Sequence, residues 1–334
     1  MLFQKKHIIA LPLIFALLIS CKQSNQKSVE VNNQTVKIIR FDSLLTQSDT
    51  TKIEENVRNL YVNHPAFMNY YAEHIIQVNP ADTFEVVKSI QLFLQNPDFK
   101  SVNNDVAKTF ASTDSIQNDL ITAYSLMNKH FPQINTPEIY FFVSGFNSSI
   151  LLENEFVGIG LDLYLGNTYP RYSEISYDYL LYNMRPASIA PDLISAMFFK
   201  HFSFDGLQNR LLEQMLYRGK LLHIVAAMLP NRKPNDIIGY SRFQWEWSRK
   251  FEKEIWNSIL AQRHLYSSEQ LLINKYLNDA PFTTPITQDS PGRLGAWVGW
   301  QIINSYMKNN NVSLQELAKI TDYQMILNKS KYKP

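Results

Sequence analysis

Apolar residues recur at three- and four-residue spacing along most of the chain, which is the period of one helix face. Phe84, Val87, Ile90, Phe93 and Leu94 form such a stripe ahead of Pro97. Ile116 to Met127 continues in the same mode until His130-Phe131-Pro132 ends it. Ile189 to His201 is a mostly apolar segment entered after Pro186, and Leu207, Leu211, Met215, Leu222 and Val225 make a stripe ending at Met228-Leu229-Pro230. Phe243, Trp247, Phe251, Ile255 and Ile259 repeat every four residues, with Lys250, Lys253 and Glu254 on the solvated side. A last long helix is predicted from near Ser290-Pro291-Gly292, carrying Gly295 to Trp300.

Two stretches leave the helical period. Ile139-Tyr140-Phe141-Phe142-Val143 is aromatic and β-branched, closed by Ser144-Gly145-Phe146-Asn147, and Glu155 to Leu161 follows after a short connection. The two are compatible with an antiparallel pair, and a third strand around Val36 to Arg40 is positioned to join them. From Val36 onward the composition is even, with no Pro/Ser/Gly linker and no internal repeat. The expectation is a single domain over 36–334: a predominantly helical α+β fold with one small antiparallel or mixed sheet. All five tryptophans fall between Trp245 and Trp300. That clustering reads as two helices packed around large side chains, with the Gly295–Gly299 spacing permitting close approach; a ligand groove is the alternative.

The first residues follow another pattern. Lys5 and Lys6 precede an apolar run from Ile8 to Ile19, interrupted by Pro12. The run has signal-peptide length and falls short of the ~20 apolar residues that a spanning helix needs. Leu18-Ile19-Ser20-Cys21 resembles a bacterial lipobox, in which the cysteine is acylated and becomes the mature N-terminus. Cys21 is the chain's single cysteine, so a disulfide framework and a thiolate metal cluster are excluded. Residues 1–20 are therefore expected to be a lipoprotein signal peptide and 21–35 a lipidated polar tether, opening Lys22-Gln23-Ser24-Asn25. No Asp stands at position 22 and no acidic run follows, so the expected site is the outer membrane, facing the periplasm.

Charge adds little beyond this. Lys+Arg number 32 and Asp+Glu 30 over 334 residues, a formal +2. Lys5 and Lys6 account for that excess, and the remaining body is near neutral. A neutral body offers no basic field for nucleic acid, which is not an expected partner.

Catalytic signatures are absent from the sequence. No HExxH is present, and no two of the seven histidines stand three to five residues apart. Gly158-Ile159-Gly160 lacks the third glycine of a dinucleotide loop, there is no GxSxG elbow, and Ser144-Gly145 reads as a turn. Glu153 and Glu155 are paired carboxylates near a hairpin tip, read as a solvated loop.

An ordered series of other motifs runs the length of the chain. Gly158 to Gly166 comes first, then Pro186 to Asp192, then Gln214-Met215-Leu216-Tyr217-Arg218-Gly219-Lys220. Ile238-Gly239-Tyr240-Ser241 with Trp245, Ala280-Pro281-Phe282, Ser290 to Gly295, Gly299-Trp300-Gln301-Ile302 and the terminal Ser330 to Pro334 follow. With the lipobox, this order resembles the gliding-motility lipoprotein GldB family of Bacteroidetes. The resemblance implies a lipid-anchored, non-catalytic part of the gliding machinery, coupled to type IX secretion. Its implied partners are the membrane and other gliding and secretion proteins, with no cofactor.

More distantly, the series is similar to zincin-type metallopeptidases, which carry HExxH on one helix, Glu-Gly on the next and Arg-x-Gly later. That likeness implies a degenerate zincin-like fold. Met197 and Phe198 stand where the first His and the Glu belong, His201 at the second His, and Arg218 before Gly219 at the third ligand. On this reading Arg218 takes over the metal's charge and pairs with a carboxylate such as Asp162, and losing Arg218 destabilises the body by ~3–5 kcal/mol. His201 and His223 otherwise read as core or boundary histidines. Two other classes stay open: a metallohydrolase drawing on His64, His74 or His130 with Glu155, and a peptide- or glycan-binding lipoprotein using the Trp-rich helices.

Overall fold

The computed structural model describes residues 36–46 and 52–334. The signal peptide over 1–20, Cys21 and the tether over 21–35 lie outside the described residues.

Four strands form one mixed sheet in the order β1-β2-β4-β3. They are β1 (Ile38–Arg40), β2 (Glu138–Phe142), β3 (Ile150–Leu152) and β4 (Phe156–Gly160). β2 is parallel to both β1 and β4, and β3 is antiparallel to β4. The antiparallel pairing expected of the two aromatic stretches is thus corrected. The connection between them contains a strand of its own, and two reversals bring β4 back alongside β2 in the same direction.

The period-2 alternation of side chains sends Ile139, Phe141, Val157 and Ile159 into the larger of two cores. Tyr140, Phe142, Leu151 and Phe156 point the other way, into a smaller core. Burial on both faces explains why β2 and β4 read as continuous apolar runs.

The smaller core is covered by α1 (Phe41–Thr46), α2 (Ile53–Asn63), α3 (Pro65–Tyr70) and α4 (Thr83–Gln95). Phe67 stacks on Tyr140 with centroids 4.3 Å apart and an interplanar angle of 5°. On α4 the buried stripe runs through Val86 and Ile90, while Phe84 is 76% exposed. With adjacent valines at 86 and 87, spacing alone drew the stripe one residue out of phase.

On the opposite side lie α5 (Pro97–Thr109), α6 (Asp114–His130), the short α7 (Tyr172–Ile175) and α8 (Asp178–Leu181), and α9 (Ile189–His201). Then come α10 (Leu211–Met228), α11 (Pro234–Ile238), α12 (Arg242–Lys250), α13 (Glu252–Ala261), α14 (Gln270–Leu277), α15 (Leu294–Asn309), α16 (Leu314–Lys319) and α17 (Tyr323–Ser330). Leu207 precedes α10 and is almost fully exposed. The four-residue repeat from Phe243 divides at Phe251, whose φ of −106° and ψ of 19° interrupt the helix between α12 and α13. Phe243 faces solvent.

α10 and α15 are apolar around most of their circumference and are buried accordingly. They meet backbone to backbone. A Cβ placed on Gly299 would lie 1.9 Å from the Met215 carbonyl oxygen, and one on Gly219 would lie 2.3 Å from the Gly299 carbonyl carbon. Gly295, one turn earlier, abuts Tyr276 and Leu277 of α14. The glycine pair therefore serves two different neighbours. Trp297 and Trp300 are buried, and Trp245 packs on both at 6.3 and 5.9 Å, which favours the packing account of the tryptophans.

Candidate functional site

The α10–α15 crossing holds a cavity of about 140 Å³ beside it. From α9 it receives Asp192, Ser195 and Phe199, which share one face at i, i+3 and i+7. α10 contributes Arg218, one residue before the crossing glycine. Arg293 reaches in from the residue preceding α15, which adopts φ 59°. Asn183 and Gly239 close the polar side, and Leu221, Ile237, Ile238, Leu277 and Ala296 form a buried apolar floor.

The charges in this cavity are unequally matched. Arg293 Nε lies 3.0 Å from Asp279 Oδ1, and its Nη2 donates to the Ile238 carbonyl at 2.5 Å. Nearby, Arg185 donates to Asp236 at 2.7 Å. Asp192 Oδ2 accepts from the Tyr164 hydroxyl at 3.2 Å. Burial pushes the Asp192 carboxyl up to about 7, against the Tyr164 hydrogen bond and the pull of Arg293 and Arg185, with Asp279 adding to the rise.

Arg218 has no such compensation. Its Nε is buried without an acceptor among the described residues, and the face of Phe199 lies 4.7 Å from the guanidinium carbon. Desolvation lowers its pKa and Arg293 adds to the fall, while Tyr217 and Asp279 oppose it. Asn183 Oδ1 is likewise buried without a donor.

The residues singled out from sequence are not brought together. Asp162 is fully buried, but its carboxylate accepts from the Ser144 backbone N–H at 2.9 Å and the Phe146 N–H at 2.5 Å, with the Ser144 hydroxyl at 3.1 Å. It ties down the loop that leaves β2, and the expected Arg218–Asp162 pair is corrected. Burial raises the Asp162 pKa, and these hydrogen bonds oppose the rise. His201 is exposed and lines a separate groove with Met197, Gln133 and Asn154. The α9 residues that share a cavity with Arg218, namely Asp192, Ser195 and Phe199, therefore lie on a different face of the helix from Met197 and His201.

His223 Nδ1 lies 2.8 Å from Asn304 Oδ1 at the helix boundary. His64 contacts the Tyr140 hydroxyl at 3.1 Å, and His74 packs on Tyr70 at 4.3 Å. His130 ends α6, and Glu155 is exposed between β3 and β4. Among the described residues no three His, Cys, Asp or Glu side chains gather so as to hold a metal ion, so this alternative ligand set is not assembled. Asp192, Asn183, Ser195 and Arg293 were not anticipated as site residues. One signal was present: Asp192 is the sole charge in the first ten residues of α9.

Among the described residues no helix is long and apolar enough to cross a membrane. A comparison with curated proteins and one with solved structures each found no match. The family model described as Gliding motility protein GldB matches residues 22–334, the whole chain after Cys21. With the motif order now placed on one continuous fold, the chain belongs to the gliding motility protein GldB family.

Proposed function

We propose that the protein is a lipid-anchored, non-catalytic component of the gliding-motility machinery, coupled to type IX secretion. Cys21 carries the acyl chains, and the anchor is in the outer membrane, facing the periplasm. The observation that carries this reading is the family match over residues 22–334. Several acyl chains at ~0.8 kcal/mol per buried CH₂ supply firm anchoring. The partners are other motility and secretion proteins.

The proposal extends to a pseudo-peptidase fold. Its support is that Arg218, ahead of Gly219, and Arg293, two residues before Gly295, line one cavity with the α9 face, in the order in which peptidases place a ligand and an Arg-x-Gly segment. A guanidinium at the ligand position favours a role without metal. Deleting the gene and restoring either wild type or Cys21→Ala tests the function. Loss of colony spreading, rescued by wild type and not by the variant, supports it. Normal spreading and secretion in the deletion would overturn it.

A further inference from the structure

Of the polar groups in the α10–α15 cavity, one is out of balance with its surroundings. Arg218 is a half-buried cation, close enough to Arg293 and Asp279 to feel both charges, in ion-pair contact with no carboxylate among the described residues and with Nε shut off from any acceptor. A buried group left in this condition calls for a partner that the chain itself does not supply. We propose that the cavity binds an organic carboxylate, whose anionic end is held by the terminal nitrogens of Arg218 and whose short aliphatic stem lies on the apolar floor. The inference rests on the cavity and stands whether or not the pseudo-peptidase reading does.

Three features select this ligand. Charge comes first. Arg293 and Arg185 already have Asp279 and Asp236, so Arg218 is the unmatched cation of the group, and a planar guanidinium suits a planar carboxylate. The second feature is the wall. Leu221, Ile237, Ile238, Leu277 and Ala296 are buried and apolar, a surface that rewards a hydrocarbon stem and offers nothing to the outer oxygens of a phosphate. Size is the third. A cavity near 140 Å³ takes about six heavy atoms, since a comparable engineered cavity holds benzene. That admits butyrate or one terminal residue of a polypeptide whose remainder stays outside.

Asn183 adds a second polar contact. Its Oδ1 is buried and undonated, and a half-turn of the amide presents the NH₂ instead, so it can serve an anion or the amide of a peptide end. Asp192 acts in opposition. Its carboxyl faces Tyr164, Arg293, Arg185 and Asp279, and when ionised it repels an incoming carboxylate.

Calorimetric titration of the full-length chain in detergent at pH 8 tests the assignment with four probes: butyrate, inorganic phosphate, and an acetylated tripeptide ending in alanine as free acid or as amide. Saturable binding of butyrate or the free-acid peptide, weakened about tenfold or more in Arg218→Gln, is expected. Asp192→Asn is expected to tighten the same binding about threefold or more, a gain that misfolding does not produce. Butyrate binding alone identifies a free small acid as the ligand. Free-acid peptide binding well above butyrate and amide identifies a polypeptide C-terminus. No saturation by either carboxylate, tighter binding of phosphate, or unchanged affinity in Arg218→Gln would each overturn the proposal.

Discussion

Arg218 lies against the face of Phe199 with its Nε unsatisfied and no ion-pair contact to a carboxylate among the described residues, and this reverses the stability argument drawn from a pair with Asp162. Breaking a buried pair is costly, whereas removing a lone buried charge relieves a desolvation penalty. Arg218→Met is therefore expected to raise the stability of the ligand-free protein by ~1–3 kcal/mol in urea melts; a loss of stability would contradict the unpaired assignment. Asp162 is the opposite case, since its carboxylate satisfies two backbone N–H groups and the Ser144 hydroxyl. Asp162→Ala is expected to cost ~3 kcal/mol by orphaning them, with amide exchange accelerated first over residues 143–149.

Asp192 makes stability depend on pH. Its carboxyl titrates near 7 in the fold against a usual 3.8, so the folded state takes up a proton that the unfolded chain has already lost. The resulting penalty is absent below pH 4, grows as pH rises, and is complete above about 7. Asp192→Asn should match wild type at pH 4 and exceed it by ~2 kcal/mol at pH 8, after allowance for access to the cavity. Equal melting of the two proteins at both pH values would show that Asp192 titrates normally.

At the scale of elements, the α10–α15 crossing is the most exacting contact. Gly299→Ala puts a methyl group against the Met215 carbonyl, and the helices must separate to admit it. A loss of ~3 kcal/mol or more is expected in thermal melts, and wild-type melting would mean that the helices do not touch there.

The sequence made the helices legible because their apolar faces repeat. α6 and α9 lie close to the bounds that spacing set, and the Gly295–Gly299 interval correctly marked a close approach. The failures have physical causes. On α4 two adjacent valines left the phase open. β3 is only three residues long, too short for alternation to register, and missing it inverted the direction assigned to β4. The cavity was hardest to read. It is assembled from α9, α10, the residue before α15 and two loops, and nothing local announces that Arg218 and Asp192 share a face of empty space. The likeness to a peptidase pattern singled out Arg218 but chose the wrong face of α9, because a mostly apolar helix offers few marks to set its rotation. Asp192 was the available mark.

For the whole molecule, the family match and the lipobox point to one testable arrangement. Growth with labelled palmitate is expected to label the wild-type protein and to leave Cys21→Ala unlabelled and released from the membrane fraction. Label persisting in the variant would place the lipid elsewhere. The two-core architecture also bears on a motility role. The smaller core holds α1 to α4 against one sheet face by aromatic contacts, with Phe41, Phe67 and Tyr71 among them. The larger core is built around α10 and α15.

On the role proposed above, the protein is part of a moving assembly and is pulled as well as bound. Where α10 meets α15 there is main chain on main chain, with no side chain between to bend, rotate or slide. Tension entering one helix passes to the other without slack, so the pair behaves as a single stiff spar. Arg218 sits one residue from the contact and Arg293 one residue before α15, and both ride on that spar. The spacing of the two guanidiniums is thus shielded from load, and what the cavity holds is decided by chemistry and not by how hard the protein is being pulled.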